Sequence, residues 1–198
     1  MQFSTLNIKA VSGPTSLVAD ALSDVKGHLK VTSSYEDDEI STYIGASLGY
    51  VERYCGITLG STTWQLNLPE FPWNYRYIEL PRGPVSSISS MYYHDTDNVS
   101  TLWAASDYQA SLDELPARLW LLQDDTWEDT YKRPDAVQVQ YVAGYASWAA
   151  VPDSIRMPIY YLAAHQHRYR QPVVEGSLRT VPWALRDSLQ AIRENFPT

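Results

Sequence analysis

Residues 36–56 read EDDEISTYIGASLGYVERYCG, and this stretch decides the fold that the rest of the chain completes. Apolar side chains recur every three or four residues from Ile40 to Cys55, which is the spacing of one buried helix face. The acidic run at 36–39 falls in the first turn, where the helix dipole favours anions. Gly56 is suited to the left-handed residue that ends a helix. The stretch therefore predicts a long amphipathic helix whose acidic start needs no metal.

The residues just before this helix predict a side-chain cap. Ser33 and Ser34 lie three residues before Glu36 and Asp37, which is the spacing of a capping box. Within the helix, Gly45 and Gly49 are four residues apart and predict the close approach of a second helix. An earlier helix is predicted from Leu17 to about Leu29.

The period changes from about 3.6 to two after residue 60. Trp64, Leu66 and Leu68 alternate with polar residues, which indicates a strand. Further strands are predicted at 78–80, 85–93, 101–103, 108–112, 118–122 and 136–142. The helical spacing returns after Pro152, with Pro158 placed in the first turn of that helix, and again after Pro182.

This order predicts an α+β fold, in which an antiparallel helical core of about four helices is interrupted by an inserted aromatic-rich β segment. We expect an extended N-terminal arm over 1–16 and the first half of the helical core over 17–60. The inserted β segment covers 61–150. The second half of the core, with a C-terminal docking helix, covers 151–198.

Composition indicates a globular protein of one domain, or of one domain with a sizeable insertion. The chain has 198 residues, 44% of them hydrophobic, and its mean hydropathy of −0.32 is typical of soluble proteins. No apolar run approaches the ~20 residues of a membrane span, and the N-terminus lacks the pattern of a signal peptide. The single cysteine, Cys55, ends a helix pattern and is interpreted as a packing residue rather than a nucleophile.

The formal charge of −8 is unevenly distributed. Residues 1–60 carry 4 basic and 7 acidic side chains, and residues 61–150 carry 5 and 12. Residues 151–198 carry 6 and 4, and all six basic residues there are arginines. An acidic body argues against ordinary duplex binding, which requires phosphates to be neutralised. The arginines fit either a solvated helix face or a contact with an acidic protein partner.

Tyrosine and tryptophan are unusually frequent, at 15 and 7 residues against 3 phenylalanines. These side chains combine an apolar body with a polar tip and therefore suit protein interfaces. They suit carbohydrate platforms and half-exposed sheets equally well, so composition does not separate these uses.

Each candidate for metal binding or catalysis has a simpler structural interpretation. Asp95 and Asp97 begin like a calcium loop, but Ser100 and Ser106 replace the required glycine and glutamate, which favours a plain turn. His165 and His167 point about 200° apart around a helix axis, which favours separate roles.

The carboxylate pairs Asp37/Asp38 and Asp124/Asp125 are neighbours in an acidic cap and a polar loop, which is not the geometry of a glycosidase. No nucleophile-elbow, phosphate-loop or dinucleotide motif occurs. The sequence therefore predicts no enzyme, no cofactor and no metal.

Seven short phrases occur in an order that resembles the head–tail connector (adaptor) proteins of long-tailed bacteriophages. The resemblance runs from about Val18 to Arg193, and the chain departs from the family pattern in its many tryptophans and in the loop at 123–133. The phrases are Val25-Lys26-x-His28-Leu29-Lys30-Val31, Glu36-Asp37-Asp38-x-Ile40, Tyr50-x-Glu52-x-Tyr54-x-Gly56, Thr63-Trp64, Leu80 to Ile88, Val137 to Tyr145, and Val151-Pro152-x-x-Ile155.

The resemblance implies a non-enzymatic structural virion protein at the neck of the particle, made in the host cytoplasm. It implies a ring of about twelve copies between the portal and a stopper or tail-completion protein, with no membrane. DNA would pass through the central channel without sequence-specific binding.

We expect the C-terminal helix to dock on the portal or on a neighbouring copy through Trp183, Arg186, Arg193 and Phe196. On this hypothesis, truncation after Pro182 leaves a folded protein that no longer assembles on the portal.

The alternative is a carbohydrate-binding or adhesion module that uses exposed aromatic residues of the β segment, namely Trp73, Trp103 and Trp127. Retention of a monomeric protein on glycans would favour this alternative, and a particle of dodecamer size would favour the connector.

Overall fold

The computed structural model describes residues 7–169 and 183–194, with side chains in the second range described for residues 187–193. The chain forms two compact units. A helical unit contains residues 15–60 and 145–198, and a β unit contains residues 1–14 and 61–144. The α+β class predicted from the sequence is confirmed.

Four α-helices are present in the helical unit among the described residues. They are α1 (Val18–Leu29), α2 (Asp37–Cys55), α3 (Asp153–Tyr169) and α4 (Trp183–Glu194), and a short 3-10 helix covers Trp148–Ala150. Within the described ranges, no helix combines the length and the apolar character that a membrane crossing needs.

The predicted periodicity of α2 matches its burial. Its buried side chains are those of Ile40, Ile44, Ser47, Leu48, Val51 and Cys55. Gly56 ends the helix in the left-handed conformation with φ 70°, and its N–H donates to the Glu52 carbonyl. The first turn carries Asp37, Asp38 and Glu39, as the dipole argument requires.

The predicted cap of α2 is wrong. The helix begins after Glu36, which makes no side-chain capping bond. The Ser33 hydroxyl instead accepts a hydrogen bond from the Tyr35 N–H at 3.1 Å, two residues away. Asp37 is engaged by Lys26 of α1, whose Nζ lies 2.6 Å from Asp37 Oδ1. The ion pair with α1 thus takes one of the side chains that a capping box would use.

Two further details of the helices differ from the expectation. A methyl group on Gly45 would meet only the Val18 side chain at 3.9 Å, and one on Gly49 would meet nothing within 4 Å. The two glycines therefore do not mark a close helix crossing. Pro158 lies in the second turn of α3, because that helix begins at Asp153. Pro158 has no N–H to donate to a helical hydrogen bond, and its ring is buried.

The helices share one hydrophobic core. α1 contributes Ala21 and Val25, α3 contributes Ile159 and Ala163, and α4 contributes Leu189, each at most 1% exposed. The 3-10 helix adds Trp148, so residues 145–150 pack with the helices rather than with the β segment to which the sequence analysis assigned them.

The β unit contains a five-stranded and a three-stranded antiparallel sheet among the described residues. The strand orders are β1-β2-β8-β4-β5 and β3-β7-β6. The strands are β1 (Asn7–Ala10), β2 (Thr62–Leu68), β3 (Tyr77–Leu80), β4 (Val85–His94), β5 (Ser100–Trp103), β6 (Tyr108–Ser111), β7 (Ala117–Leu121) and β8 (Val137–Ala143). One buried cluster contains side chains of both sheets.

β8 is the central strand of the larger sheet, and its alternation is as clean as the sequence predicts. Val137, Val139, Tyr141 and Ala143 are buried, and the residues between them are half-buried. The Tyr141 hydroxyl donates to the Pro81 carbonyl at 2.6 Å. Burial is the main cause of the raised pKa of Tyr141. The phenol is therefore a neutral structural donor at any physiological pH.

β2 departs from the predicted alternation. Gln65 and Asn67 are buried, at 6% and 7% exposed, although the pattern places them on the polar face. The Gln65 amide donates to Asn67 Oδ1 at 2.7 Å, and Gln140 donates to Gln65 Oε1 at 3.2 Å. These amides satisfy each other's hydrogen-bonding groups, so burying this face of β2 costs little free energy.

Part of the predicted N-terminal arm is an edge strand. β1 pairs antiparallel with β2, with Ile8 opposite Leu66 and Ala10 opposite Trp64. Within the extended arm predicted over 1–16, residues 7–10 are therefore paired in the larger sheet. Residues 172–181 lie outside the described residues.

A pair of glycine substitutions in or beside α2 tests this account of the helix. Gly56→Ala places a Cβ at φ 70° and should lower the free energy of unfolding by about 1–2 kcal/mol. Gly49→Ala should raise it by about 0.5–1 kcal/mol, because a helix-interior glycine is replaced where space is open. Denaturant unfolding measures both changes, and shifts of the same sign would contradict the assignment.

Candidate interaction surfaces

Only one of the four predicted docking residues has a described side chain. Arg193 is exposed, and its guanidinium lies 5.8 Å from the centre of the Tyr54 ring on α2. Tyr54 stacks in turn on Tyr50 at 5.9 Å. The side chains of Trp183 and Arg186, and the whole of Phe196, lie outside the described part of the structure. Arg193 thus marks a patch where α4 ends beside α2, in which an exposed cation lies beside half-buried tyrosine rings.

The inner face of α4 belongs to the helical core. Leu189 is fully buried, and Ile192 packs against the same cluster. The Cys55 thiol lies 3.6 Å from the Leu189 carbonyl, which is the geometry of a weak S–H donor. Truncation after Pro182 therefore removes core side chains as well as surface side chains, so it does not isolate a docking role.

Cys55 is a packing residue, as the sequence indicated, and it is fully buried. Burial raises the pKa of the Cys55 thiol from 9.0 to about 11, and the charge of Arg193 opposes part of that rise. The thiolate is the reactive form of cysteine. A protonated thiol beneath α4 is therefore unreactive at neutral pH.

Thiol labelling measures this burial. At pH 8 a pKa of about 11 rather than 9.0 leaves a thiolate fraction about a hundredfold smaller. Folded protein should therefore react with an aromatic disulfide reagent at least ~100-fold more slowly than the chain unfolded in guanidinium. The folded rate should rise as the pH approaches 11. Equal rates in the folded and unfolded states would contradict the burial of Cys55.

The three tryptophans of the proposed carbohydrate platform do not form one exposed surface. Trp73 is 57% exposed, whereas Trp103 and Trp127 are each only 8% exposed. Phe71 stacks on Trp127 with ring centres 4.8 Å apart, and Trp103 lies 5.8 Å from Trp127. The Trp127 Nε1–H donates to the Tyr75 carbonyl at 2.8 Å. These rings therefore build the core of the β unit and are not available to stack on a sugar.

The outer face of the smaller sheet carries a different aromatic group. Tyr77 of β3 and Trp120 of β7 are register partners with ring centres 4.8 Å apart. The Arg118 guanidinium lies 4.8 Å from the Tyr77 ring and is also held by Glu79 at 3.1 Å. Tyr75, which is 44% exposed, extends the group at 5.4 Å from Tyr77. This half-exposed face has the chemistry of a protein contact surface.

The polar candidates from the sequence have structural roles. Asp95 Oδ1 accepts from the N–H groups of Asp97 and Val99, at 3.0 and 2.9 Å, and so holds a tight turn. His167 lies 3.3 Å from Glu36, whereas His165 is exposed and contacts Tyr169. Over residues 7–169 and the described part of α4, no group of three or more His, Cys, Asp or Glu side chains is arranged to hold a metal.

A polar network joins α1, α3 and the 3-10 helix. Asp24 accepts from the Trp148 indole at 2.9 Å and from the Tyr160 hydroxyl at 3.3 Å. Arg156 lies 3.9 Å from Asp24 and pairs with Asp153. Asp24 is separated by 124 residues from Trp148 and by 136 residues from Tyr160, so no local motif predicts this network.

Comparison with known proteins identifies a family over nearly half of the chain. The family described as phage gp6-like head-tail connector protein matches residues 19–112, from α1 to β6. The resemblance predicted from the sequence is thereby confirmed. No curated protein matches the chain.

Solved structures share the fold over almost the whole chain. A chain of "Virion of native gene transfer agent (GTA) particle" has a TM-score of 0.74 and 21% identity, and the match covers 95% of each chain. A chain of "Neck of empty GTA particle computed with C6 symmetry" has a TM-score of 0.73 and 21% identity over 94% of each chain. A chain of "Neck of native GTA particle computed with C12 symmetry" has a TM-score of 0.69 and 21% identity over 94% of each chain.

Proposed function

We propose that the chain is a head–tail connector subunit, a structural protein of a virion neck and not an enzyme. One observation carries the proposal: the connector family matches α1 to β6, and the fold continues over 95% of a chain from a gene transfer agent virion. The subunit would be made in the host cytoplasm and would act in the assembled particle.

A ring of twelve copies fits the symmetries of the neck structures that share the fold. One of those structures was computed with C12 and another with C6 symmetry, and a twelvefold ring satisfies both. A ring closes when one surface of each subunit contacts a different surface of the next. The half-exposed aromatic face at Tyr77 and Trp120, and the patch at Arg193 and Tyr54, would supply two such surfaces.

The ring would lie between the portal and a stopper or tail-completion protein, and DNA would pass through its channel. The charge supports passage without tight binding. The β unit has 6 basic and 12 acidic side chains, a net charge of −6, and the whole chain is −8. Duplex affinity depends on neutralised phosphates, so such a surface holds DNA weakly.

The C-terminal helix is the proposed docking element toward the portal or a neighbouring copy, through Trp183, Arg186, Arg193 and Phe196. Its described residues support this role because Leu189 anchors the helix and Asp187 and Arg193 are exposed. Because the buried face of α4 is anchored in the core, the exposed face of the same helix has a defined orientation.

A matched pair of charge reversals tests the docking role without removing the anchor. Arg193→Glu should weaken assembly on the portal at least tenfold, and Arg168→Glu should leave assembly unchanged. Both arginines are exposed in the last turn of a helix, and each guanidinium lies over a tyrosine ring. Both changes therefore carry a similar helix-dipole cost of about 0.3–1 kcal/mol. Co-sedimentation with portal measures binding, and equal binding by the two variants would overturn the docking assignment.

A mass measurement tests the ring itself. Addition of the 22.5 kDa chain to assembled portal should increase the particle mass by about 270 kDa, which corresponds to twelve copies. Mass photometry of the portal with and without the chain reports the increment. An increment of one or two copies at saturation, or none, would contradict the ring.

A further inference from the structure

β5 forms one edge of the five-stranded sheet, and its outward backbone groups belong to Ser100 and Leu102. The Asp95 N–H donates to the Val99 carbonyl at 3.0 Å. This bond sets the phase of the β4–β5 ladder, that is, which opposed pairs are hydrogen-bonded to each other. Opposed residues of an antiparallel pair alternate between bonded and non-bonded positions. Thr101 therefore turns its N–H and carbonyl toward β4, and Ser100 and Leu102 turn theirs away from the sheet.

A second set of hydrogen bonds confirms this phase. His94 is the register partner of Ser100. The His94 N–H donates to the Ala136 carbonyl at 2.8 Å, and the His94 carbonyl accepts from the Tyr131 N–H at 3.0 Å. The His94 backbone thus faces away from β5, as a non-bonded position requires.

This edge lacks several of the devices that normally prevent strand addition, although the strand is only four residues long. Edge strands are commonly protected by charged side chains, proline or bulges. β5 reads Ser-Thr-Leu-Trp and has none of these. Leu102 is 56% exposed beside its register partner Tyr92, and Val99, which immediately precedes the strand, is 57% exposed. The opposite edge strand, β1, carries Lys9.

The surroundings of β5 are acidic at both ends. Asp97 lies in the exposed turn before the strand, and Asp107 lies in the exposed turn after it. Arg133 donates to Asn98 in the first turn, but it is paired with Asp135 at 2.6 Å. An extended segment with basic side chains at its ends would therefore complement this edge.

The inner side of the same strand holds an unsatisfied donor. Trp103 is 8% exposed, and its Nε1–H has no acceptor among the described residues. Its ring lies 5.0 Å from Phe71 and 5.4 Å from Tyr93, in an apolar environment. A buried donor without a partner is uncommon in a completed fold. This donor lies on the inner side of β5 and is separate from the outward backbone groups of Ser100 and Leu102.

We propose that β5 binds an extended segment of a partner protein as a sixth antiparallel strand. The segment carries an apolar side chain beside Leu102 and lysine or arginine at either end. Main-chain bonds to Ser100 and Leu102 supply the attachment, and the side chains supply the selectivity. With only two outward residues, the strand acts as one contact within a larger assembly. The proposal does not depend on the ring.

Peptide binding tests the proposal on the full chain. The probe is a fluorescein-labelled peptide, Lys-Thr-Val-Thr-Val-Thr-Lys, followed by fluorescence anisotropy. We expect a Kd on the order of 100 μM at low salt. The same peptide with glutamate at both ends should bind at least ~10-fold more weakly. Equal binding of the two peptides would overturn the proposed charge selectivity.

Two changes remove the main-chain bonds. Leu102→Pro deletes an outward N–H and leaves the bonds to β4 in place, so binding should fall at least ~10-fold. The matched control Leu102→Ala keeps that N–H and should weaken peptide binding less than Leu102→Pro does. A peptide N-methylated at alternate residues blocks the same bonds with the protein unaltered, and it should also bind at least ~10-fold more weakly.

The outcomes separate the proposal from its rivals. Absence of binding to the wild-type protein at millimolar peptide would overturn it. Undiminished binding of the N-methylated peptide would overturn it as well, whether or not Leu102→Pro folds. Self-association that Leu102→Pro abolishes, without peptide binding, would assign the edge to a second copy of this chain and overturn the assignment to another protein.

Discussion

The buried face of α2 is the constraint on which the helical unit depends. α1, α3 and α4 all pack on this helix, and the residues that receive them are spaced at threes and fours from Ile40 to Cys55. Each fully buried isoleucine or leucine contributes roughly 1.5–3 kcal/mol relative to an exposed one. Ser47 adds a polar contact, accepting from the Gln166 amide at 3.1 Å. A single helix thus positions both α3 and the C-terminal α4.

The β unit uses the same residue types for two purposes. Trp103 and Trp127 pack on Phe71 in the hydrophobic core, whereas Tyr75, Tyr77 and Trp120 lie on an outer face. Among the described residues, the chain therefore presents half-exposed aromatic surface and an unpaired strand edge. Those features suit a protein whose work is assembly, because interfaces draw on broad amphipathic surfaces rather than on single reactive side chains.

Some elements follow from local sequence because one physical signal dominates each of them. The left-handed Gly56, the 3.6 period of α2 and the alternation of β8 are such cases. Predictions from local sequence were wrong where a residue elsewhere in the chain binds the side chain concerned. Lys26 takes Asp37, which a capping box would have used, and neighbouring amides make burial of Gln65 inexpensive. Of the predicted docking residues, Arg193 has a described environment, next to Tyr54.

By itself the sequence determined the α+β class, the order of the elements and the resemblance to a connector family, because periodicity, helix ends and ordered motifs are local properties. Only the tertiary structure decided which strands pair, which tryptophans are buried and which strand has a free edge. β1 joins β2 across more than fifty residues, and Trp103 is buried although its strand is an edge. Such contacts depend on side chains far apart in sequence, and no local pattern encodes them.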